Sequence, residues 1–173
     1  ISWCHQNDLM PIMSYKSGNN GFTAAQIKQG ALDAHAQAAA TYLNSFGRTT
    51  YVTIDHEPYD DFLKNGDRVQ QFLDIQERLI PIFAAKPHLR VGPILHGFLL
   101  DNQSLRATRF DSFISPSLFN GGVYDFFGID SYQTGTFANP GPINPGTRMA
   151  PLAAVMQAKG RADIPLLIGE FNA

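Results

Sequence analysis

Short apolar runs alternate with longer helical patterns along the whole chain, and this alternation constrains the fold more than any single motif. The runs occupy residues 9–14, 50–54, 89–95, 124–130 and 164–168, so they begin about 35 to 40 residues apart. That spacing is the length of one strand-plus-helix unit. Continuous apolar runs are also typical of parallel strands that are buried on both faces. The sequence therefore predicts an α/β protein with a parallel sheet.

Helical patterns fill the intervals between these runs. Residues 23–47 begin with the capping-box spacing Thr-x-x-Gln and continue as an Ala-rich stretch that ends in glycine. Apolar residues at spacings of three and four predict a second helix over residues 67–87. We expect a weaker helical segment over 105–114 and a last helix over 149–160. Each predicted strand but the last is thus followed by a predicted helix.

Two parallel architectures fit this order of elements. A doubly wound sheet usually carries a Gly-x-Gly-x-x-Gly turn after its first strand, but residues 17–21 read Ser-Gly-Asn-Asn-Gly. Polar residues instead cluster after every strand, as they do at the mouth of a (β/α)8 TIM barrel. A barrel typically takes about 250 residues, so 173 residues would supply roughly five of its eight units. We expect one partial barrel domain over residues 1–173, a piece of a longer protein.

Charge and hydropathy exclude several kinds of partner. The 13 Lys and Arg residues are scattered and the sequence pI is about 6.2, so no basic surface for nucleic acid is expected. No apolar run approaches the roughly 20 residues that a membrane span requires. The one cysteine, Cys4, cannot form a disulfide within the chain. No pattern in the sequence predicts an oligomeric state.

Two glutamates follow predicted strands at the edge where a barrel carries its active site. Glu57 comes after the run 50–54, and Glu170 after the run 164–168. Glycoside hydrolysis requires two carboxyl groups beside the scissile bond, one protonated and one ionised. Partial withdrawal from water at the end of a buried strand can raise a carboxyl pKa enough for acid catalysis. The two glutamates are therefore a candidate catalytic pair. The alternative is a solvent-facing Glu57 and a Glu170 that is only a carboxylate near the chain end.

Four segments, in order along the chain, resemble glycoside hydrolase family 26, within the clan of (β/α)8 retaining β-glycosidases. Residues 53–61, Thr-Ile-Asp-His-Glu-Pro-Tyr-Asp-Asp, are similar to the acid/base strand of that family. Residues 124–132, which contain Asp-x-x-Gly-x-Asp-x-Tyr, and residues 164–171, which contain Ile-Gly-Glu-Phe, are similar to two later strands. Residues 11–16 are similar to an early strand. The resemblance implies a barrel from which this chain lacks the first and last strands.

The resemblance also implies roles for individual residues. Glu57 would be the general acid/base and Glu170 the nucleophile of a retaining mechanism without metal or other cofactor. His56 and Tyr132 would hold the nucleophile or the sugar, and a hydrogen bond from Tyr132 would keep Glu170 ionised. Asp130 would bind a sugar hydroxyl, unless it caps a neighbouring backbone group.

Two further residues are predicted to support the substrate, and the substrate itself is only partly defined. His96 follows the third predicted strand, and Tyr59 could stack on a sugar face or belong to the core. Mannan-cleaving members of the family carry Met-Asn-Gly and tryptophans after their His-Glu pair, where this chain has Pro-Tyr-Asp-Asp at residues 58–61. We therefore expect a polysaccharide or oligosaccharide substrate, either β-mannan-like or another β-glycan. The resemblance implies a secreted or extracellular enzyme of polysaccharide degradation.

Two other functions remain open at this point. A metal-dependent barrel hydrolase could draw its nitrogen and oxygen ligands from His5, Asp8, His56, Asp60, Asp61 and His96. However, no His-x-His or His-Glu-x-x-His spacing occurs in the sequence. A catalytically silent barrel that grips glycans, for example in a phage tail or cell-surface assembly, is the second alternative. The presence of both glutamates speaks against it.

Overall fold

The computed structural model describes residues 1–64, 68–101, 109–131, 134–136, 139–141 and 146–171. The helices are α1 (Ser2–Gln6), α2 (Ala24–Lys28), α3 (Asp33–Asn44), α4 (Val69–Ala84), α5 (Pro116–Asn120) and α6 (Gly146–Ala158). The strands are β1 (Ile12–Tyr15), β2 (Thr50–Ile54), β3 (Leu89–Val91), β4 (Ile94–His96), β5 (Phe127–Ser131), β6 (Thr134–Thr136), β7 (Asn139–Gly141) and β8 (Leu166–Phe171).

The strands form two separate parallel sheets and one small hairpin. The first sheet has the order β1-β2-β3, the second has the order β4-β5-β8, and β6 pairs with β7 in antiparallel fashion. The predicted α/β class with parallel strands is confirmed. The predicted (β/α)8 barrel is wrong, because the described strands build two three-stranded sheets and no barrel is found among them.

The division into two sheets follows from a break in what the sequence predicts as one strand over residues 89–95. Gly92 and Pro93 separate β3 from β4, and Pro93 has no N–H to donate to a strand ladder. The Gly92 N–H donates to the carbonyl of Val52 at 3.2 Å, whereas the Pro93 carbonyl accepts from the Gly128 N–H at 2.9 Å. The chain therefore changes its neighbour from β2 to β5 at this break. The two sheets stay adjacent although their ladders are separate.

Close packing requires a glycine at this break. A Cβ atom added to Gly92 would lie 2.2 Å from the backbone oxygen of Phe126. No side chain fits at that distance, so another residue here would push the two sheets apart. The spacing of apolar runs does not predict that residue 92 must be a glycine.

The longer helices occur where the sequence predicts them, but some predicted helical segments are shorter and more interrupted in the structure. The capping box of residues 23–26 is present, since the Thr23 side chain accepts from the Gln26 N–H and the Gln26 side chain accepts from the Thr23 N–H. The single helix predicted over residues 23–47 is two helices, α2 and α3, and Gly30 between them has φ +96°. In the described part of the weaker helix predicted over 105–114, residues 109–110 are π-helical and Asp111–Phe113 form a short 3-10 turn.

One hydrophobic core contacts both sheets. The apolar face of α4 buries Phe72, Ile75, Leu79 and Phe83 in the same cluster as inward-facing residues of β2, β3, β4 and β5. Full burial of a large apolar side chain stabilises a protein by about 1.5–3 kcal/mol. The core therefore holds the carboxyl ends of the strands, and the loops that follow them, in fixed positions.

Within the residues that the structure describes, no helix combines the length and the apolar character that a bilayer crossing requires.

Candidate functional site

A small cavity lies where the carboxyl ends of strands from both sheets meet. Its volume is about 110 Å³. The lining residues come from five strands and from the segment after β2, and they are Ile12, Ser14, Thr53, His56, Ile94, Asp130, Gly169 and Glu170. The lining combines polar and apolar residues, as expected for a site that orients a ligand through a few placed groups.

The segment after β2 has an unusual backbone on both sides of His56. Asp55 has φ +47° and Glu57 has φ +55°, a region that residues other than glycine rarely adopt. The Asp55 carboxylate accepts hydrogen bonds from the N–H of Ser17 at 2.8 Å and from the Ser17 hydroxyl. The Glu57 N–H donates to the carbonyl of Ile94 at 3.0 Å. Such backbone strain persists only where surrounding contacts fix it, and it occurs preferentially at functional sites.

His56 is held by contacts at three points. Its Nδ1 lies 2.7 Å from the hydroxyl oxygen of Ser14, and its carbonyl accepts from Lys16 Nζ at 2.9 Å. Its Nε2 lies 3.8 Å from Oε1 of Glu170. Burial and then the charge of Lys16 lower the pKa of His56, although Glu170 opposes the shift. The ring is therefore neutral at neutral pH, and its contact with Glu170 is not an ion pair.

Glu57 is the more enclosed of the two glutamates. Its side chain is 24% exposed, compared with 54% for Glu170, and its Oε1 lies 3.8 Å from Nε2 of His96. Burial lowers the pKa of His96 to about 4, so this contact joins a carboxyl group to a neutral imidazole. The partial withdrawal from water that the sequence predicts for both glutamates is thus clear for Glu57 and small for Glu170.

The position of Glu170 follows from an irregularity in the second sheet. The register of β5 and β8 shifts between Ile129 and Ser131, so that Gly169 and Glu170 together lie opposite Asp130. An extra residue in one strand bends that strand and changes the direction of its side chains. Here the irregularity presents the glutamate to the cavity.

Asp130 is the most buried carboxyl group of the site. It is 1% exposed, and burial, with further contributions from the charges of Glu57 and Glu170, raises its pKa to about 7. The backbone N–H of Glu170 partly opposes this shift. Asp130, which lies next to both glutamates, is therefore expected to titrate close to neutral pH.

Tyr59 lies in an aromatic cluster beside His96. Its ring centroid is 5.8 Å from that of His96 and 5.1 Å from that of Phe98, with edge-to-face geometry in both pairs. Its hydroxyl accepts a hydrogen bond of 2.8 Å from Arg109 Nη1. Phe98 is 36% exposed, so the cluster offers an aromatic face to a ligand beside Glu57.

Three residues of the site have a geometry that a metal ion could use. One donor atom each of His56, Glu57 and Asp130 can be chosen so that all three lie within 4.8 Å of one another. Of the six metal ligands suggested by the sequence, only His56 belongs to this group of described residues. His5 and Asp8 lie outside this group, in the segment that precedes β1. The carbonyl of His5 and the carboxylate of Asp8 both accept hydrogen bonds from Arg48.

The structure places the seven residues predicted for the site as follows. It brings Glu57, Glu170, His56 and Asp130 together, sets His96 against Glu57, and sets Tyr59 against His96. Tyr132 lies outside the described residues.

Sequence reasoning assigned no role to Ser14 or Gly169. Ser14 is the one hydroxyl residue of the apolar run 9–14, and a polar residue at an inward position of a strand is the signal that could have identified it. A Cβ atom on Gly169 would lie 2.5 Å from Oδ1 of Asp130, so this glycine makes room for that carboxyl. The need for a glycine at residue 169 becomes visible only from the register shift between β5 and β8.

Comparison with known proteins gives no match to this chain, either among models of protein families or among curated proteins. The resemblance to glycoside hydrolase family 26 stays a prediction, and a function has to be argued from the chemistry of the site.

Proposed function

We propose that this protein hydrolyses β-glycosidic bonds of a polysaccharide or oligosaccharide with retention of configuration, and that Glu57 is the general acid/base and Glu170 the nucleophile. The observation that carries the proposal is that these two glutamates lie around the same two side chains, His56 and Asp130. Glu57 follows β2 of the first sheet, and Glu170 lies in β8 of the second. Two carboxyl groups with different surroundings are what glycoside hydrolysis requires.

Glu57 suits the acid/base role because of its enclosure. It lies near Asp130, whose pKa is raised to about 7 by burial and then by the charges of Glu57 and Glu170, so this group of carboxyls keeps a proton close to neutral pH. The neutral His96 ring beside it adds no positive charge that would favour loss of that proton.

Glu170 suits the nucleophile role because its side chain is open to the cavity. In the first step its carboxylate oxygen forms a bond to the anomeric carbon while the bond to the leaving oxygen breaks, and Glu57 gives its proton to that oxygen. In the second step Glu57 takes a proton from water, the water oxygen bonds to the anomeric carbon, and the carboxylate of Glu170 leaves. Each step moves one proton through Glu57, and the two steps together return the enzyme to its starting state.

The aromatic cluster beside Glu57 supports a sugar substrate. The exposed ring of Phe98, backed by Tyr59, can stack on the apolar face of a pyranose ring. A β-glycan that is too large to enter a cell would be met outside it, in agreement with the secreted enzyme implied by the resemblance.

The test combines two variants with two leaving groups. Glu170→Gln should lower turnover of every β-glycoside by at least about a hundredfold. Glu57→Gln should lower turnover of a β-glycan similarly, but it should retain formation of the glycosyl-enzyme from an aryl glycoside whose phenolate leaves without protonation. Asp163→Asn, at an exposed carboxylate paired with Arg161, is the matched control and should be unchanged.

The stereochemistry of the first product completes this test. NMR of the freshly released sugar should show the β-anomer before mutarotation. The α-anomer, or near-normal turnover by either glutamate variant, contradicts the assignment. Binding of β-glycans by the wild-type protein without any hydrolysis would contradict the enzyme proposal as a whole.

One observation favours a second candidate function. His56, Glu57 and Asp130 could bind a divalent cation that activates water for hydrolysis, since imidazole and carboxylate oxygens are common zinc and manganese ligands. Metal content measured before and after dialysis against a chelator distinguishes the two mechanisms. Stoichiometric metal whose removal abolishes turnover would replace the two-glutamate mechanism, and full activity in the chelated protein would exclude the metal mechanism.

A further inference from the structure

We infer that Ser14 is a positioning residue that fixes the protonated nitrogen of His56, so that the Nε2–H of the ring faces Glu170. The inference rests on the proposed function, because the value of such a donor lies in holding Glu170 or the sugar bound to it. Through Ser14, strand β1 would contribute to a site whose carboxyl groups come from other elements.

The geometry leaves two arrangements for the neutral ring. The hydroxyl of Ser14 lies 2.7 Å from Nδ1 of His56, which is the distance of a strong hydrogen bond. If Ser14 donates, the ring proton is on Nε2 and faces Oε1 of Glu170 at 3.8 Å. If Ser14 accepts, the bare lone pair of Nε2 faces that carboxylate instead. Electrostatic repulsion disfavours the second arrangement, so the serine is the donor.

A doubly protonated ring is the third possibility, and Lys16 opposes it. Lys16 Nζ donates to the carbonyl of His56 at 2.9 Å, which places its positive charge beside the imidazole. This charge, together with burial, lowers the pKa of His56. Ser14 therefore chooses the tautomer, and the ammonium group of Lys16 beside His56 opposes a second proton on the ring.

The strand register explains why the hydroxyl reaches the ring. Ser14 pairs with Thr53 of β2, and both line the cavity with Ile12, two residues earlier on the same face of β1. The next residue, Tyr15, lies on the opposite face, where its hydroxyl bonds Nδ1 of His35 at 2.7 Å. A shift of one residue would turn Ser14 away from the site.

The consequence for the reaction concerns the orientation of Glu170. A separation of 3.8 Å is longer than a hydrogen bond, but the glutamate side chain is 54% exposed, and a sugar hydroxyl can bridge the gap. A donor at Nε2 stabilises the ionised carboxylate before attack and accepts no proton itself. A bare Nε2 would instead compete with Glu170 for any donor on the sugar.

The test reads the tautomer directly. Nitrogen-15 NMR of ring-labelled histidine distinguishes the protonated from the bare ring nitrogen, and His56→Asn identifies the His56 signals among the five histidines. The wild type should carry its proton on Nε2. Ser14→Ala should shift the population toward Nδ1–H and lower kcat about three- to tenfold with little change in KM, the effect of one hydrogen bond.

Two further variants separate positioning from a merely structural role. Ser14→Thr keeps the hydroxyl and should restore both the Nε2–H tautomer and kcat. Tyr15→Phe removes the corresponding hydroxyl-to-histidine bond on the opposite face of β1 and should leave His56 and turnover unchanged.

The outcomes also separate this inference from the proposed function. A wild-type His56 protonated on Nδ1 overturns the inference whatever the hydrolysis assay shows. An unshifted tautomer in Ser14→Ala also overturns it. A wild type that carries Nε2–H but hydrolyses no β-glycan supports the assigned tautomer and contradicts only the proposed function.

Discussion

His96 Nε2 lies 3.8 Å from Oε1 of Glu57, and the contact joins a neutral ring to a carboxyl group rather than two ions. Burial of His96, behind the rings of Tyr59 and Phe98, is the main reason for its neutrality. The acid/base glutamate of the proposed mechanism therefore has a polar neighbour that does not stabilise its negative charge as a cation would.

His96 should not titrate near neutral pH. Its pKa is lowered from 6.5 to about 4, so histidine NMR should show one ring that stays neutral from about pH 8 down to about pH 5. Between pH 6.5 and 4 the unfolded chain binds the extra proton and the folded protein does not, so this residue makes stability fall as pH falls. His96→Gln should reduce that acid sensitivity in thermal melts. A His96 signal with a midpoint above about pH 6 would contradict the prediction.

Asp130 has the opposite effect, because it should make the stability of the folded protein fall as pH rises. Its folded pKa of about 7 lies above the unfolded value of 3.8, so its favourable contribution is complete below the unfolded value and is lost as pH rises through 7. Asp130→Asn should melt close to the wild type at about pH 4 and several °C higher at about pH 8, since ~1 kcal/mol corresponds to about 2–4 °C for a chain of this size.

The melts for Asp130 require a chelator in the buffer and a matched control. Chelation removes any cation that would replace the proton at His56, Glu57 and Asp130. Asp163→Asn, at an exposed carboxylate, should show no such pH-dependent difference. An Asp130→Asn protein that gains nothing at high pH would mean that this carboxyl is stabilised in its ionised form.

The sequence predicts the strand-helix order and the residues that meet at the site, but not how the strands are grouped. Glu57 and Glu170 were identifiable because each follows an apolar run. The break at Gly92 and Pro93 decides the number of sheets, and it depends on a backbone oxygen of Phe126 that lies far away in the sequence. Apolar spacing reports which segments are strands, whereas grouping depends on contacts between distant residues.

The same limit applies to the finer parts of the site. The tautomer of His56 depends on Ser14, which is 42 residues away in sequence and carries no catalytic signature. The bend at Gly169 depends on the register between β5 and β8. Both are properties of strand pairing, which a single sequence does not specify.

Gly169→Ala should disturb the site without unfolding the protein. The new methyl group would lie 2.5 Å from Oδ1 of Asp130 and 2.9 Å from Cγ2 of Ile94, so either the carboxyl or the bend in β8 must move. We expect a cost of about 1–3 kcal/mol in the free energy of unfolding, and a larger loss of turnover as Glu170 changes direction. Urea denaturation and initial-rate measurements check the two effects.

Gly18→Ala is the matched control for this prediction. A Cβ atom at Gly18 meets nothing within 4 Å, and the residue has no positive φ. Its unfolding and turnover should stay close to the wild type. Equal behaviour of the two alanine variants would mean that β8 accommodates the methyl group and that the bend does not position Glu170.

Ser17→Ala should loosen the strained segment around His56. Asp55 is 4% exposed, and its carboxylate depends on the N–H and the hydroxyl of Ser17. Loss of the hydroxyl leaves a buried charged group with one donor fewer, which costs about 1–3 kcal/mol in the free energy of unfolding. Because burial already raises the pKa of Asp55, its protonation in acid should make this cost smaller at low pH than at neutral pH.

Turnover should fall together with stability in Ser17→Ala, since Asp55 anchors the left-handed backbone that presents both His56 and Glu57. Ser45→Ala removes an exposed hydroxyl that bonds the carbonyl of Tyr42 at 2.7 Å, and it should change the free energy of unfolding by less than about 0.5 kcal/mol. If Ser17→Ala unfolds at a lower urea concentration but keeps full turnover, the strained backbone is maintained by the Glu57–Ile94 hydrogen bond rather than by Asp55.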